Sequence, residues 1–217
     1  MVENFNLDFT QVVVIETAKQ PWQDSPAAGV RRIPLEREAA ESGHVSSIVE
    51  YAPGSSFKTH QHPLGEEIFV LEGVFSDENG DYPAGSYLRN PPGSSHAPFS
   101  KDGCKIFVKL NQFDEQDLEQ VVINTETTQW QPGLGNLKVM PLHQFEGRNT
   151  ALVLLSKGER FLPDQHRGGQ EVLVLSGALK DQHGCYPKGT WIRSPHLSEH
   201  LPFVEEDTMI LVKVGHF

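Results

Sequence analysis

The sequence predicts an all-β protein that contains one domain twice. Short runs such as EIFVLEG (67–73) and EVLVLSG (171–177) are rich in Val, Ile, Leu and Phe, as strands are. Turn signals built from Gly, Pro and Asn separate such runs at a spacing of about ten residues. The pattern then returns 104 residues further along the chain. Together these observations predict an antiparallel sandwich or small barrel, present in two copies.

The repeat is strong enough to divide the chain. Residues 54–99 align with 158–203 without a gap, with 20 identities in 46 positions. The match continues to the last residue of the sequence. Because an internal repeat of this length marks a duplicated domain, we expect an N-terminal domain at 1–117 and a C-terminal domain at 118–217.

Composition and charge exclude several classes of function. The formal net charge of -11 and the lack of clustered Lys and Arg argue against nucleic-acid binding. No apolar run approaches the roughly 18 residues that a membrane-spanning helix needs. The start, MVENFNLDFTQ, has no signal-peptide pattern, and Cys104 and Cys185 lie outside any metal-binding motif. These features predict a cytoplasmic protein with two reduced thiols.

The stretch HQHPLGEEIFVLEG (60–73) indicates a metal site. His60 and His62 are two residues apart, so in a strand their side chains share one face. After a short turn, Glu66 or Glu67 begins the next strand, and His96 follows about thirty residues later in the segment PPGSSHAPF. Three imidazoles and one carboxylate suit a divalent transition ion such as iron, manganese, nickel, copper or zinc.

Two adjacent glutamates compete for the carboxylate position. Neighbouring residues in a strand point to opposite faces, so only one of Glu66 and Glu67 can point into a barrel. Apolar residues follow on both faces of this strand, and hydrophobicity therefore does not choose between them.

The spacing of these residues resembles the two cupin motifs. The motifs read Gly54-x5-His60-x-His62-x3-Glu66-x6-Gly73 and Gly85-x5-Pro91-x4-His96. The segment GEEIFVLEGVFSDENGDYPAGSYLRNPPGSSHAPF is similar to the cupin domain of ChrR-type anti-sigma factors and to related acetylacetone-cleaving-type dioxygenases. The resemblance covers both repeats, most of the chain.

The resemblance implies two tandem cupin domains, that is, a bicupin of two jelly-roll β-barrels. It implies one divalent transition metal (Fe, Zn, Mn or Ni) bound by positions matching His60, His62, Glu66 and His96. Glu67 is the alternative to Glu66, which fits the motif spacing better. The zinc-binding anti-sigma domain of ChrR, with its His-x3-Cys-x2-Cys motif, has no counterpart in this sequence, so anti-sigma activity is not expected.

The second repeat changes the ligand set. At the shift of 104, the counterparts of the five candidate positions are Asp164, His166, Gln170, Glu171 and His200. With Gln170 pointing inward, this set predicts a weaker or different metal site. With Glu171 pointing inward, the second barrel keeps a carboxylate. A barrel retained for packing alone is the remaining alternative.

Several further residues are candidates for the pocket around the metal, or else for core packing. They are Phe57, Ile68, Val70, Tyr87, Arg89 and Phe99. Arg89 and its counterpart Arg193 lie between apolar neighbours in strand-like segments. Such an arginine either orients an anionic or carbonyl substrate or pairs with a carboxylate at the rim of the barrel.

Three functions agree with these observations. The first is a metal-dependent, iron-type oxygenase that acts on a small diketone or hydroxyketone. The second is a non-catalytic sensor of metal, oxidant or a small ligand, as the ChrR resemblance implies. The third is a zinc or manganese isomerase. A small molecule is the expected partner in each case, and cupins often pair through edge strands, so a homodimer is expected.

Overall fold

A computed structural model describes residues 4–39, 43–160, 167–198 and 201–217. Nearly all regular structure is β, as predicted, with a short 3-10 helix at Thr17–Lys19. The strands of the described residues are β1 (Val13–Glu16), β2 (Gln23–Asp24), β3 (Val30–Arg37), β4 (Val45–Tyr51), β5 (Ser55–Ser56), β6 (His60–His62), β7 (Glu66–Asp77), β8 (Gly80–Pro83), β9 (Ser86–Asn90), β10 (Ser94–His96), β11 (Phe99–Ser100), β12 (Cys104–Leu110), β13 (Val121–Asn124), β14 (Gln131–Pro132), β15 (Lys138–Phe145), β16 (Arg148–Leu155), β17 (Gln170–Ser176), β18 (Ala178–Lys180), β19 (Cys185–Pro187), β20 (Thr190–Ser194) and β21 (Thr208–Val214). Within the described residues, no helix has the length and hydropathy needed to span a bilayer.

The chain forms two compact units. Unit 1 consists of Met1–Leu7 and Pro21–Thr128, and unit 2 of Asp8–Gln20 and Gln129–Phe217. In unit 1 the main sheet runs β13-β9-β7-β12-β4-β3-β2, and in unit 2 the sheet runs β1-β20-β17-β21-β16-β15-β14. All pairings in both sheets are antiparallel, which agrees with the short connections between strands.

The units do not coincide with the sequence repeats 1–117 and 118–217. The stretches VIETAKQPW (14–22) and VINTETTQW (122–130) match each other in sequence. The strand in each stretch pairs with a strand of the other repeat. The strand of the first stretch, β1, pairs with β20 in unit 2, and the strand of the second, β13, pairs with β9 in unit 1. Each repeat therefore gives its first strand to the other unit.

Strand β7 is the element that organises unit 1. Its first half pairs with β9 and β12 in the main sheet, and its second half pairs with β8 and β11. The pairing of β7 with β12 shifts register between Lys105 and Ile106, and Gly73 has a left-handed backbone (φ +71°). Both features allow β7 to bend between its two halves. A Cβ at Gly73 would lie 2.1 Å from the carbonyl oxygen of Gly103, so glycine is required there.

The main sheet of unit 1 has two buried faces. We call the face that carries Glu66, Ile68 and Val70 the inner face, and the face that carries Glu67 and Phe69 the outer face. The inner face forms one apolar core that also includes Phe75, from the second half of β7. Its buried members are Val30, Tyr51, Ile68, Val70, Phe75, Leu88, Cys104, Ile106 and Val108.

Candidate metal centre

The three predicted histidines converge in unit 1. His60 and His62 lie on β6, and His96 lies on β10, which pairs with β6 so that His96 is opposite His60. The centroids of the three rings are 4.8 Å, 5.2 Å and 4.8 Å apart. Strand alternation on β6 and pairing with β10 together place the rings on one face of this ribbon, as the spacing predicts.

Glu66 completes the cluster. A turn at Gly65, which has φ +78°, connects β6 to β7 and brings the carboxylate beside the imidazoles. Its Oε2 lies 3.4 Å from Nε2 of His62 and 3.2 Å from Nε2 of His96. One ligand atom from each of the four side chains lies within 4.8 Å of every other.

Hydrogen bonds behind the rings fix which nitrogen points into the centre. Nδ1 of His60 lies 2.9 Å from the carbonyl oxygen of Lys58, and Nδ1 of His96 lies 3.2 Å from Oδ2 of Asp77. Carbonyl and carboxylate oxygens only accept, so each Nδ1 carries the hydrogen and donates it. We infer from this that the Nε2 lone pairs of His60 and His96 remain available to a metal.

The donor atoms of this cluster fit a cation. His62, Glu66 and His96 are buried, at 2%, 5% and 3% exposure, whereas His60 is half-buried. Among the described residues, neither the buried Nε2 of His62 nor that of His96 has a hydrogen-bond partner, although Oε2 of Glu66 lies close to both. Buried polar atoms are rarely left so in native proteins. A divalent ion at the centre would satisfy both nitrogens and balance the carboxylate.

Burial of His62 favours the neutral form, which is the form that binds metals. Burial lowers the pKa of His62, and the neighbouring His96 and His60 lower it further, while the charge of Glu66 opposes them. A neutral imidazole offers its lone pair to a metal without first losing a proton.

Glu67, the alternative carboxylate, lies on the outer face. It is 5% exposed, and its Oε1 accepts a hydrogen bond of 2.7 Å from the hydroxyl of Tyr87. Its cross-strand neighbours are Arg89 and Lys109, whereas Glu66 is opposite Asn90 and Leu110. The structure therefore brings Glu66, and not Glu67, to the histidines.

Two of the candidate pocket residues lie away from the histidines. Tyr87 and Arg89 alternate with Leu88 and project from the outer face with Glu67. The guanidinium of Arg89 pairs with the buried carboxylate of Asp117 and covers the ring of Phe113 at 3.9 Å. Arg89 thus takes the second role considered for it, pairing with a carboxylate.

The other pocket candidates are divided between the core and the rim. Phe57 lies next to the cluster, with its ring centroid 6.0 Å from that of His60. Ile68 and Val70 are fully buried in the inner-face core. Phe99, on β11, is 39% exposed.

Sequence reasoning missed three residues around the cluster. Asn90 donates a hydrogen bond of 2.9 Å to Oε2 of Glu66, Asp77 accepts from His96, and Tyr51 lies in the inner-face core. Asp77 carried a signal, because the second repeat also has an aspartate at the matching position, Asp181. The contact of Asn90 depends on the register of β9 against β7, which the sequence does not reveal.

Unit 2 shows only part of the predicted second site. Gln170, the counterpart of Glu66, is 8% exposed and lies opposite Ser194. Glu171 accepts a hydrogen bond of 2.9 Å from the indole of Trp191, just as its counterpart Glu67 accepts one from Tyr87. Asp164, His166 and His200 lie outside the described residues.

Comparison with known proteins agrees with this architecture. No curated protein matches the sequence. A putative dioxygenase from Nostoc punctiforme superposes with a TM-score of 0.80 at 15% identity, covering 94% of this chain and 82% of that one. The pirin YhhW from Escherichia coli in complex with nickel(II) superposes with a TM-score of 0.71 at 13% identity, covering 94% of this chain and 98% of that one.

A putative glyoxylate-induced protein from Pseudomonas aeruginosa is also similar, with a TM-score of 0.74 at 12% identity over 93% of this chain and 87% of that one. At these identities the structures establish a shared fold. The model of the ChrR Cupin-like domain matches the sequence twice, at residues 10–114 and 118–217. These matches confirm the predicted tandem cupin domains, and the chain belongs to the ChrR cupin-like family.

Proposed function

We propose that the chain is a metal-dependent oxygenase that acts on a small diketone or hydroxyketone. In this proposal His60, His62, Glu66 and His96 bind one divalent transition metal in unit 1. The observation that carries it is the convergence of four ligand atoms within 4.8 Å, with two buried imidazole nitrogens that have no hydrogen-bond partner in the described part of the chain. Bound iron would supply the one-electron and dioxygen chemistry that side chains alone cannot perform.

The residues around the cluster have distinct tasks in this proposal. Asn90 holds Oε2 of Glu66 by its amide, so the carboxylate keeps one orientation. The core residues Ile68 and Val70, on the same strand as Glu66, make the surroundings apolar and exclude water. Because His60 is only half-buried while the other ligands are buried, we infer that a substrate enters from the side of His60.

The same surroundings favour a small, weakly polar substrate. Six of the nine buried residues in the inner-face core are Val, Leu or Ile, whereas a sugar would need many hydrogen-bonding side chains. Tyr51 packs edge-on against Phe57, with ring centroids 5.7 Å apart, and Phe57 adjoins His60. Burial, followed by the charges of Glu66 and Cys104, raises the pKa of Tyr51 well above its usual value. Its hydroxyl therefore stays protonated and able to donate to a carbonyl oxygen.

The test is oxygen consumption by the iron-loaded protein. Protein loaded anaerobically with Fe(II) is mixed with a panel of β-diketones and hydroxyketones, and dioxygen uptake is recorded with an electrode. We expect uptake with at least one of these compounds and its loss in His62→Ala. The matched control is His166→Ala, the counterpart in the second repeat, which should retain uptake. Equal loss in both variants would contradict a reaction confined to unit 1.

A sensor function is the second candidate, and the match to the ChrR Cupin-like domain favours it. Metal analysis separates the two candidates. Protein that binds one equivalent of metal in unit 1 but consumes no dioxygen with any compound supports the sensor. Protein that cannot be loaded with any divalent metal contradicts both.

A further inference from the structure

We propose that Asp77 is a positioning residue that fixes His96 for metal binding, an inference that rests on the metal site proposed above. Asp77 lies at the end of β7, after the bend at Gly73, and is 8% exposed. Its Oδ2 lies 3.2 Å from Nδ1 of His96, whose Nε2 lies 3.2 Å from Oε2 of Glu66. The imidazole is thus held between two carboxylates, one behind it and one beside the centre.

Asp77 is itself held in place. Its Oδ1 accepts a hydrogen bond of 2.8 Å from the backbone N–H of Asn79 and one of 3.1 Å from the hydroxyl of Tyr82. Both donors belong to the hairpin that joins β7 to β8. With Oδ1 engaged in this way, the carboxylate plane is fixed and Oδ2 faces His96.

This contact has two consequences for His96. A carboxylate accepts but does not donate, so Nδ1 must carry the hydrogen and Nε2 keeps its lone pair toward the centre. The negative charge behind the ring also makes Nε2 a stronger donor to a metal. The bent strand β7 supplies both Glu66 and Asp77, one from each half. The same strand therefore provides one candidate ligand, Glu66, and orients another, His96.

The second repeat offers a matched control. Asp181, the counterpart of Asp77, accepts hydrogen bonds from the backbone N–H groups of His183 (2.7 Å) and Gly184 (3.0 Å) and from the hydroxyl of Tyr186 (2.9 Å). The hairpin role of this aspartate is therefore common to both units. A change at Asp181 measures the effect of weakening the hairpin without altering the cluster in unit 1.

The test compares Asp77→Asn with Asp181→Asn. In Asp77→Asn, the amide oxygen can still accept the hairpin hydrogen bonds, while its NH2 group faces Nδ1 of His96 and favours the tautomer with the hydrogen on Nε2. We expect the affinity of unit 1 for Co²⁺, measured by competition with a chelator, to fall by about 10–100-fold, as for other changes behind a ligating histidine. Asp181→Asn should leave the affinity of that site unchanged.

A second readout does not depend on metal. Nitrogen-15 NMR of histidine-labelled, metal-free protein reports the tautomer of His96, identified with a His96→Gln variant. Wild-type protein should carry the hydrogen on Nδ1, and Asp77→Asn should shift it toward Nε2. An unchanged tautomer and affinity in Asp77→Asn, or equal losses in both variants, would overturn the proposal. If wild-type protein binds no metal but the tautomer shifts, the metal site fails and the positioning role of Asp77 stands.

Discussion

The two units carry similar residues on one face of the sheet, the face of Glu67 in unit 1 and of Glu171 in unit 2. In unit 1 Glu67 accepts a hydrogen bond from Tyr87, and in unit 2 Glu171 accepts one from Trp191. A buried lysine follows in each: Lys109 donates to Ser46 at 2.7 Å, and Lys213 donates to Thr150 at 3.0 Å. A buried arginine also stacks on a phenylalanine in both units, Arg89 on Phe113 and Arg193 on Phe9. Removing one member of a set of buried charges leaves the others uncompensated, so a single change on this face is expected to destabilise either unit.

The inner faces differ at the position that matters for a metal. Glu66 with its donor Asn90 in unit 1 corresponds to Gln170 and Ser194 in unit 2. Glu66 lies opposite Asn90 on β7 and β9, and Gln170 lies opposite Ser194 on the corresponding strands β17 and β20. At this position unit 2 therefore offers an amide where unit 1 offers a carboxylate.

The largest expected effect comes from giving unit 1 the residue of unit 2. Glu66→Gln removes the anionic ligand itself and leaves an amide oxygen, so we expect the affinity for Fe(II) or Co²⁺ to fall by more than the roughly 100-fold upper bound for a change behind a ligand. That loss is equivalent to more than about 2.8 kcal/mol. Metal content per chain after dialysis, together with chelator competition, measures this loss.

Glu67→Gln is the control for the same experiment. Its carboxylate faces away from the histidines, so the metal affinity should remain that of the wild type while the stability falls. If Glu67→Gln loses metal and Glu66→Gln does not, the assignment of the inner carboxylate is wrong. Gln170→Glu tests the converse, because a gain of metal in unit 2 would show that the remaining ligands there are competent.

An intermediate effect is expected from the outer face. Tyr87→Phe removes a hydrogen bond to the buried carboxylate of Glu67, and we expect a loss of about 1–3 kcal/mol in the free energy of unfolding. Trp191→Phe should cost more, since it also leaves a cavity beside Glu171. Urea denaturation measures both losses. A change in Co²⁺ affinity in Tyr87→Phe would contradict its place on the face away from the cluster.

Much of this arrangement could be predicted because strands alternate. The shared face of His60 and His62 follows from a spacing of two, and the spacing in the cupin motifs favours Glu66 over Glu67. The places of Tyr87 and Arg89 could not be deduced in the same way, because buried apolar residues occur on both faces of β7 and β9. The pairing of β1 with β20 and of β13 with β9 also left no signal, since the two strands lie in segments of similar sequence.

The smallest expected effect is the contribution of His62 to the pH dependence of stability in the metal-free protein. Burial lowers the pKa of His62 below the 6.5 of an unfolded chain, so the unfolded state binds the proton first as the pH falls. Stability that His62 contributes is therefore complete above pH 6.5 and decreases as the pH falls from there toward the lowered pKa. The difference in unfolding free energy between wild-type protein and His62→Asn, measured in chelator from pH 8 to pH 5, isolates this contribution. This difference should be constant above about pH 6.5. Below that pH the wild-type protein should lose stability relative to His62→Asn. A shift in favour of the wild type would mean that attraction to Glu66 outweighs burial and raises the pKa of His62 above 6.5.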